Sequence, residues 1–168
     1  TFIDHNGDKV YDSVLILEFT NTIVDYYSEY AETIFDVDSR LNGSIRLDDI
    51  DMSDAKNIFL TDTKNNFIEP NSLEKNSIIS VYKSADGKKI RLIVSNEKVV
   101  GSFTSMDDED NITIGDREYR LSEDFRSAKS EMRLGTDYTC YLDARGDIAY
   151  YTTDTGVMAY LINAGEKG

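Results

Sequence analysis

Apolar residues in this chain recur mostly at every second position, in short runs broken by Gly, Asn, Asp and Ser, and seldom at helical spacing. A period of two sends alternate side chains to opposite faces of a strand, so this pattern confines the chain to the all-β class. Strands are predicted at 13–20, 22–30, 33–37, 44–47, 58–60, 77–83 and 89–95. More are predicted at 99–105, 111–114, 118–121, 137–142, 148–152 and 157–162. Asp86-Gly87 between two β-rich runs marks a hairpin, as does Arg145-Gly146, and 114–119 holds another tight reversal. Helix is expected only at 122–132, where Ser122 precedes Phe125, Ala128 and Met132, with a single turn allowed at 53–57.

Within that class, the chain reads as two related units. Asn42-Gly43-Ser44-Ile45 resembles Val100-Gly101-Ser102-Phe103, and Leu73-Glu74-Lys75-Asn76 resembles Leu134-Gly135-Thr136-Asp137. The turn at 84–90 resembles that at 143–148. A unit of that size suits a small barrel or curled sheet. The expected organisation is an N-terminal calcium-loop and strand region at 1–40, a first β unit at 41–98 and a second at 99–168. The apolar run Val14-Leu15-Ile16-Leu17 is expected to be buried on both faces and to fasten the N-terminal loop to the scaffold.

Composition narrows the function. Acidic residues outnumber basic ones by 32 to 18, a formal charge of −14. Nucleic acids and anionic membranes need concentrated Lys and Arg, so neither is an expected partner. No apolar run is long enough to span a membrane. The single cysteine, Cys140, excludes an internal disulfide and a multi-cysteine zinc site, and alternation places it in the core. The only histidine, His5, has no Cys or His companion for a metal site, and the chain has no serine elbow or phosphate-cradling loop. Carboxylates are too numerous for any pair to single itself out, so catalysis is not expected.

One stretch carries specific chemistry. Asp4, Asn6 and Asp8 place oxygen ligands at every second position, Asp12 adds a carboxylate, and Val10 lies where a backbone carbonyl would serve. Ca²⁺ takes six to eight oxygens, so this spacing can wrap one ion. The runs at Asp107–Asn111 and at Asp48, Asp49, Asp51 and Asp54 read instead as solvated turns. Tyr26-Tyr27, Tyr30, Tyr150-Tyr151 and Tyr160 could offer aromatic platforms to sugars or peptides, but alternation buries one member of each pair.

The loop resembles the calcium loops of FG-GAP repeats and, more loosely, EF-hand and dockerin loops. It departs from them at Lys9, where those families usually carry Gly, and Leu15 stands where an EF-hand has its bidentate Glu. With Val99–Ser102 and Tyr141-Leu142-Asp143-Ala144-Arg145-Gly146-Asp147-Ile148-Ala149, the chain resembles the β-rich repeat regions of Gram-positive cell-surface proteins that carry S-layer homology anchors. That resemblance implies a non-catalytic structural or spacer module, fragment of an exported protein, with structural Ca²⁺ and neighbouring modules as partners. The alternative is a glycan- or protein-binding adhesion module using exposed tyrosines. The chain opens on Thr1 and ends Gly165-Glu166-Lys167-Gly168, and is expected to be an excised piece.

Overall fold

The computed structural model describes residues 2–3, 13–14, 19–37, 50–54, 56–84, 88–107 and 111–153, with backbone alone at 2–3, 13–14 and 128–129. The described residues are all-β, as the alternation requires. Two short strands, β1 (Phe2–Ile3) and β2 (Ser13–Val14), pair antiparallel with Ile3 opposite Ser13. The remaining strands form two sheets.

The first sheet has six strands: β3 (Thr20–Ser28), β4 (Thr33–Asp36), β5 (Ile50–Asp51), β6 (Ile58–Asp62), β7 (Ile78–Lys83) and β8 (Ile90–Ser95). Their spatial order is β5-β4-β3-β7-β8-β6. The second has five: β9 (Lys98–Met106), β10 (Asn111–Ile114), β11 (Arg117–Arg120), β12 (Asp137–Leu142) and β13 (Ile148–Thr153), in the order β11-β10-β9-β12-β13. Every pairing in these two sheets is antiparallel except β6 with β8. Without β6, the first sheet has the strand order of the second, with β3 in the place of β9 and the β7–β8 hairpin in the place of β12–β13. β3 and β4, from the 1–40 stretch, lie in the same sheet as β5–β8, and the two sheets divide between Ser95 and Lys98. The runs expected at 44–47 and 157–162 lie outside the described residues.

Neither sheet is closed by a continuous ladder among the described residues. The second curls far enough that Leu121, just past edge strand β11, bridges Ile148 at the start of the opposite edge strand, β13. The Ser122 N–H donates to the Ile148 carbonyl at 2.9 Å. Gly101 lets the curl tighten: a Cβ there would lie 3.0 Å from the backbone nitrogen of Gly115. Gly115 itself, at φ 65°, opens the two-residue turn between Ile114 and Arg117, a conformation that only glycine adopts without strain.

The helix expected at 122–132 is a 3-10 helix, Glu123–Glu131. Its buried anchors, Phe125 and Met132, stand near its two ends. Ser127 and Ser130 between them favour backbone alternatives over an α-helix, and so few apolar contacts do not pull the turns into α register. A second 3-10 turn, Pro70–Ser72, precedes β7 as the longer one precedes β12.

The core falls into two clusters. Val24, Ile34, Leu60, Ile79, Leu92 and their neighbours fill the first sheet's own core. Phe103, Ile112, Ile114, Leu121, Tyr138, Cys140 and Ile148 fill the second, together with Ile23 and Ile78 from the first sheet. β3 and β7 are therefore buried on both faces: Val24 and Ile79 point into one cluster, Ile23 and Ile78 into the other. Each fully buried Ile contributes roughly 1.5–3 kcal/mol through area removed from water. Cys140 is fully buried, and burial pushes its thiol up to about 12. Tyr138, also buried, accepts a 2.8 Å hydrogen bond at its hydroxyl from the Arg133 N–H.

Candidate functional site

The residues proposed from sequence to hold Ca²⁺, namely Asp4, Asn6, Asp8, Val10 and Asp12, lie outside the described residues. The β1–β2 pairing flanks that stretch on both sides. Of the acidic runs, Asp107 closes the β9–β10 connection by accepting hydrogen bonds from the Asn111 N–H (2.9 Å) and from Asn111 Nδ2 (2.8 Å). Asp51 accepts from the Ser53 N–H at 2.9 Å, and Asp54 from Asn57 Nδ2 at 2.9 Å. Asp48, Asp49 and 108–110 are outside the described residues.

Alternation buries one member of the Tyr150-Tyr151 pair, as expected, but neither member of Tyr26-Tyr27. Tyr150 is buried, while Tyr151 is half-buried and packs edge-on against Phe125 and Tyr138. Tyr26 is 52% exposed and stacks on Phe35, with ring centroids 4.7 Å apart and planes 16° from parallel. Tyr27 is half-buried, Tyr30 is fully exposed and Tyr160 is outside the described residues.

The site that stands out lies where the two sheets meet. Asn21 on β3 and Ser80 on β7 are register partners on the same face as Ile23 and Ile78, so two polar side chains enter an otherwise apolar contact. The Ser80 hydroxyl donates to Asn21 Oδ1 at 2.9 Å and accepts from the Ala144 N–H at 3.2 Å. Asn21 Nδ2 donates to Asp143 Oδ2 at 3.2 Å, and the Asn21 N–H donates to Asp124 Oδ2 at 2.8 Å. One strand residue is thus tied to the 3-10 helix and to the β12–β13 turn of the second sheet. Nearby, Asn76 Nδ2 donates to the Tyr141 hydroxyl at 3.2 Å. Buried polar groups are costly unless paired, so these links fix how the sheets meet.

Asp143 is the hub. Its Oδ1 accepts from the Arg145 N–H at 2.8 Å and the Asp147 N–H at 3.1 Å, folding the turn around its own carboxylate. Burial raises its pKa from the ordinary 3.8, against the lowering effect of those two N–H groups. Asp143 therefore favours the native state below the ordinary carboxylate value, and that contribution is lost as pH rises through the raised value. Asp51 and Asp62 are lowered by hydrogen bonds from Ser53 and Asn66. In a carboxyl-carbon NMR titration, Asp143 is expected to titrate above both. A midpoint for Asp143 at or below theirs would contradict the seam described here.

Beside this seam lies a cleft of about 100 Å³, walled by Asn21, Ser122, Glu123, Asp124, Asp143 and Asp147. Phe19 and Arg145 complete it, with the guanidinium carbon 4.3 Å from the ring centroid. Ser122 is 4% exposed, and its hydroxyl has no hydrogen-bond partner. The cleft is rich in acceptors and suits recognition of a polar, donor-bearing group.

The sequence reading identified the 143–148 turn but not this meeting point. Its one legible signal was Asn21, a polar residue at the parity of Ile23 in a strand, where an apolar side chain is the norm.

Comparison with known protein families, curated proteins and solved structures finds no match. Among the described residues, no group of three or more His, Cys, Asp or Glu side chains is arranged to hold a metal ion. No helix among them is long and apolar enough to cross a membrane.

Proposed function

We propose that this chain is a non-catalytic structural module of a bacterial cell-surface protein, a spacer whose two sheets act as one body. The observation that carries this reading is the hydrogen-bonded seam from Asn21 and Ser80 to Asp124, Asp143 and Ala144. A load-bearing spacer needs that kind of fixed joint between its layers. The matching strand order of the two sheets supports a duplicated unit, which suits a module built to extend a chain. Neighbouring modules of the same exported protein are its partners in this reading.

Ca²⁺ braces the leading end, held by Asp4, Asn6, Asp8, Asp12 and the Val10 carbonyl. Support comes from the ligand spacing and from the antiparallel pairing of Ile3 with Ser13, which keeps the ends of that stretch together. An ion bound only by the native state and saturated about a hundredfold above its Kd adds about 2.7 kcal/mol. For a chain of this length, that is a rise in melting temperature of roughly 5–10 °C. Calorimetry in millimolar Ca²⁺ and in chelator is expected to show that difference, and superimposable melts would refute the brace.

The exposed Tyr26–Phe35 stack and Tyr30 favour a second reading, adhesion to a glycan or protein. Saturable binding on a glycan array or in a cell-wall pulldown, abolished in a Tyr26→Ala/Tyr30→Ala variant, is what that reading predicts. A pure spacer gives no saturable signal.

A further inference from the structure

The buried hydrogen bonds that join the sheets have a direction. The Ala144 N–H donates to Ser80 Oγ at 3.2 Å, the Ser80 hydroxyl to Asn21 Oδ1 at 2.9 Å, and Asn21 Nδ2 to Asp143 Oδ2 at 3.2 Å. The links run from the β12–β13 turn of the second sheet through β7 and β3 of the first and back to the same turn. Asn21, Ser80 and Asp143 are each at most 3% exposed, so bulk water does not replace a lost partner.

This direction suits an ionised Asp143, which can only accept. Its Oδ1 is held as an acceptor by two donors, the Arg145 N–H at 2.8 Å and the Asp147 N–H at 3.1 Å. A proton arriving at Asp143 therefore goes to Oδ2, the oxygen that faces Asn21. Asn21 meets it by turning its amide half a revolution about χ2, which exchanges Oδ1 and Nδ2 in nearly the same two positions. The links then read Asp143 Oδ2–H to Asn21 Oδ1 and Asn21 Nδ2–H to Ser80 Oγ, with the Ala144 N–H still on Ser80. Three hydrogen bonds stand before and three after, and the Ser80 hydroxyl proton is released from Asn21. The backbone N–H of Asn21 stays on Asp124 throughout.

The surroundings bring that proton within reach. Burial raises the Asp143 pKa from 3.8, and the charge of Asp147 adds to the rise. Among the described residues it is also faced by Arg145 on its own turn, by Glu123 and Asp124 on the 3-10 helix across the cleft, and by Tyr82 on β7. The cleft that Asn21 and Asp143 both line gives the proton its path.

We propose that Asn21 is a two-state switch at the sheet junction, its amide turning over when Asp143 gains a proton and turning back when the proton leaves. The charge state of a second-sheet residue thereby sets the orientation of a first-sheet side chain, with no strand moved. The switch stands apart from the spacer role and from any ion at Asp4–Asp12.

The test is NMR of the whole chain across pH, reading the Asp143 carboxyl carbon, the Asn21 side-chain amide and the NOEs from its Nδ2 protons. With Asp143 ionised, those NOEs are expected to be stronger to the Asp143 β-protons. Below the Asp143 midpoint they are expected to be stronger to the Ser80 β-protons, and the Asn21 amide shifts with that same midpoint. Asp143→Asn puts an uncharged N–H at the Oδ2 position, because the two backbone donors keep the variant's own carbonyl on their side. It is expected to hold Asn21 turned toward Ser80 at neutral pH and to remove the pH dependence there. NOEs that stay with Asp143 after its carboxyl has titrated would overturn the switch, as would a carboxyl that remains ionised down to acid unfolding. So would a folded Asp143→Asn variant with Asn21 unturned, and the parent titration decides alone if that variant does not fold.

Discussion

Ile78→Ala is expected to destabilise the protein by about 3–4 kcal/mol, lowering the melting temperature by roughly 10 °C. Ile78 sits on β7 of the first sheet, is fully buried, and belongs to the second sheet's core cluster. Truncation removes three carbons from a close-packed contact that neither layer can refill alone, so the lost transfer energy and the residual cavity add. The expected signature is a loss felt in both sheets. Urea unfolding monitored by circular dichroism gives the size of the effect, and amide hydrogen exchange gives its reach. A loss under about 1 kcal/mol, or faster exchange confined to β3–β8, would mean that the apolar contact between the layers is weak.

Asn21→Ala is expected to cost about 2–4 kcal/mol for a different reason. The mutation leaves the Asn21 N–H to Asp124 intact, but it strips Asp143 Oδ2 of its donor and the Ser80 hydroxyl of its acceptor, all within a buried seam. The penalty comes from the charge left behind more than from the bond lost. It should therefore be largest where Asp143 is ionised and shrink as pH falls through that residue's raised titration range. Denaturation of the parent and variant at neutral pH and near the ordinary carboxylate value measures this. A pH-independent difference would argue that Asn21 contributes packing alone.

The two predictions rest on features of unequal visibility in the sequence. Strand alternation was enough to place β12 at Asp137–Leu142 and β10 at Asn111–Ile114 to the residue, because both have one buried face and so an unambiguous period. It missed the two-residue β5, too short to have a period, and gave no sign that β6 runs parallel to β8. The likeness of the turns at 84–90 and 143–148 is a matter of local chemistry, and the run at 44–47, matched in sequence to the Gly101 strand, lies outside the described residues. In the first sheet β3 holds the place that the Gly101 strand, β9, holds in the second, since partner choice is a long-range matter that local turn residues do not encode. The 3-10 helix was read as helix because Phe125 and Met132 suit either winding.

The junction site was almost invisible for the same reason. Asn21, Ser80, Ser122 and Asp143 are spread over more than a hundred residues, and apart from Asn21 none stands out in its own segment. Only the stacking of one sheet on the other brings them together. The Ca²⁺ expectation at Asp4–Asp12, by contrast, rests on local spacing alone and lies outside the described residues, so a metal titration tests it without reference to the sheets.

The central claim is that the two sheets form one cooperative body. The chain has no tryptophan, so single reporters can be placed at will. Phe59→Trp on β6 watches the first sheet and Tyr119→Trp on β11 the second, both at partly exposed positions. Urea unfolding followed by fluorescence in the two variants, each referenced to its own circular dichroism curve, is expected to give a single transition seen alike by both reporters. Two separated transitions, one sheet melting while the other holds, would contradict the account.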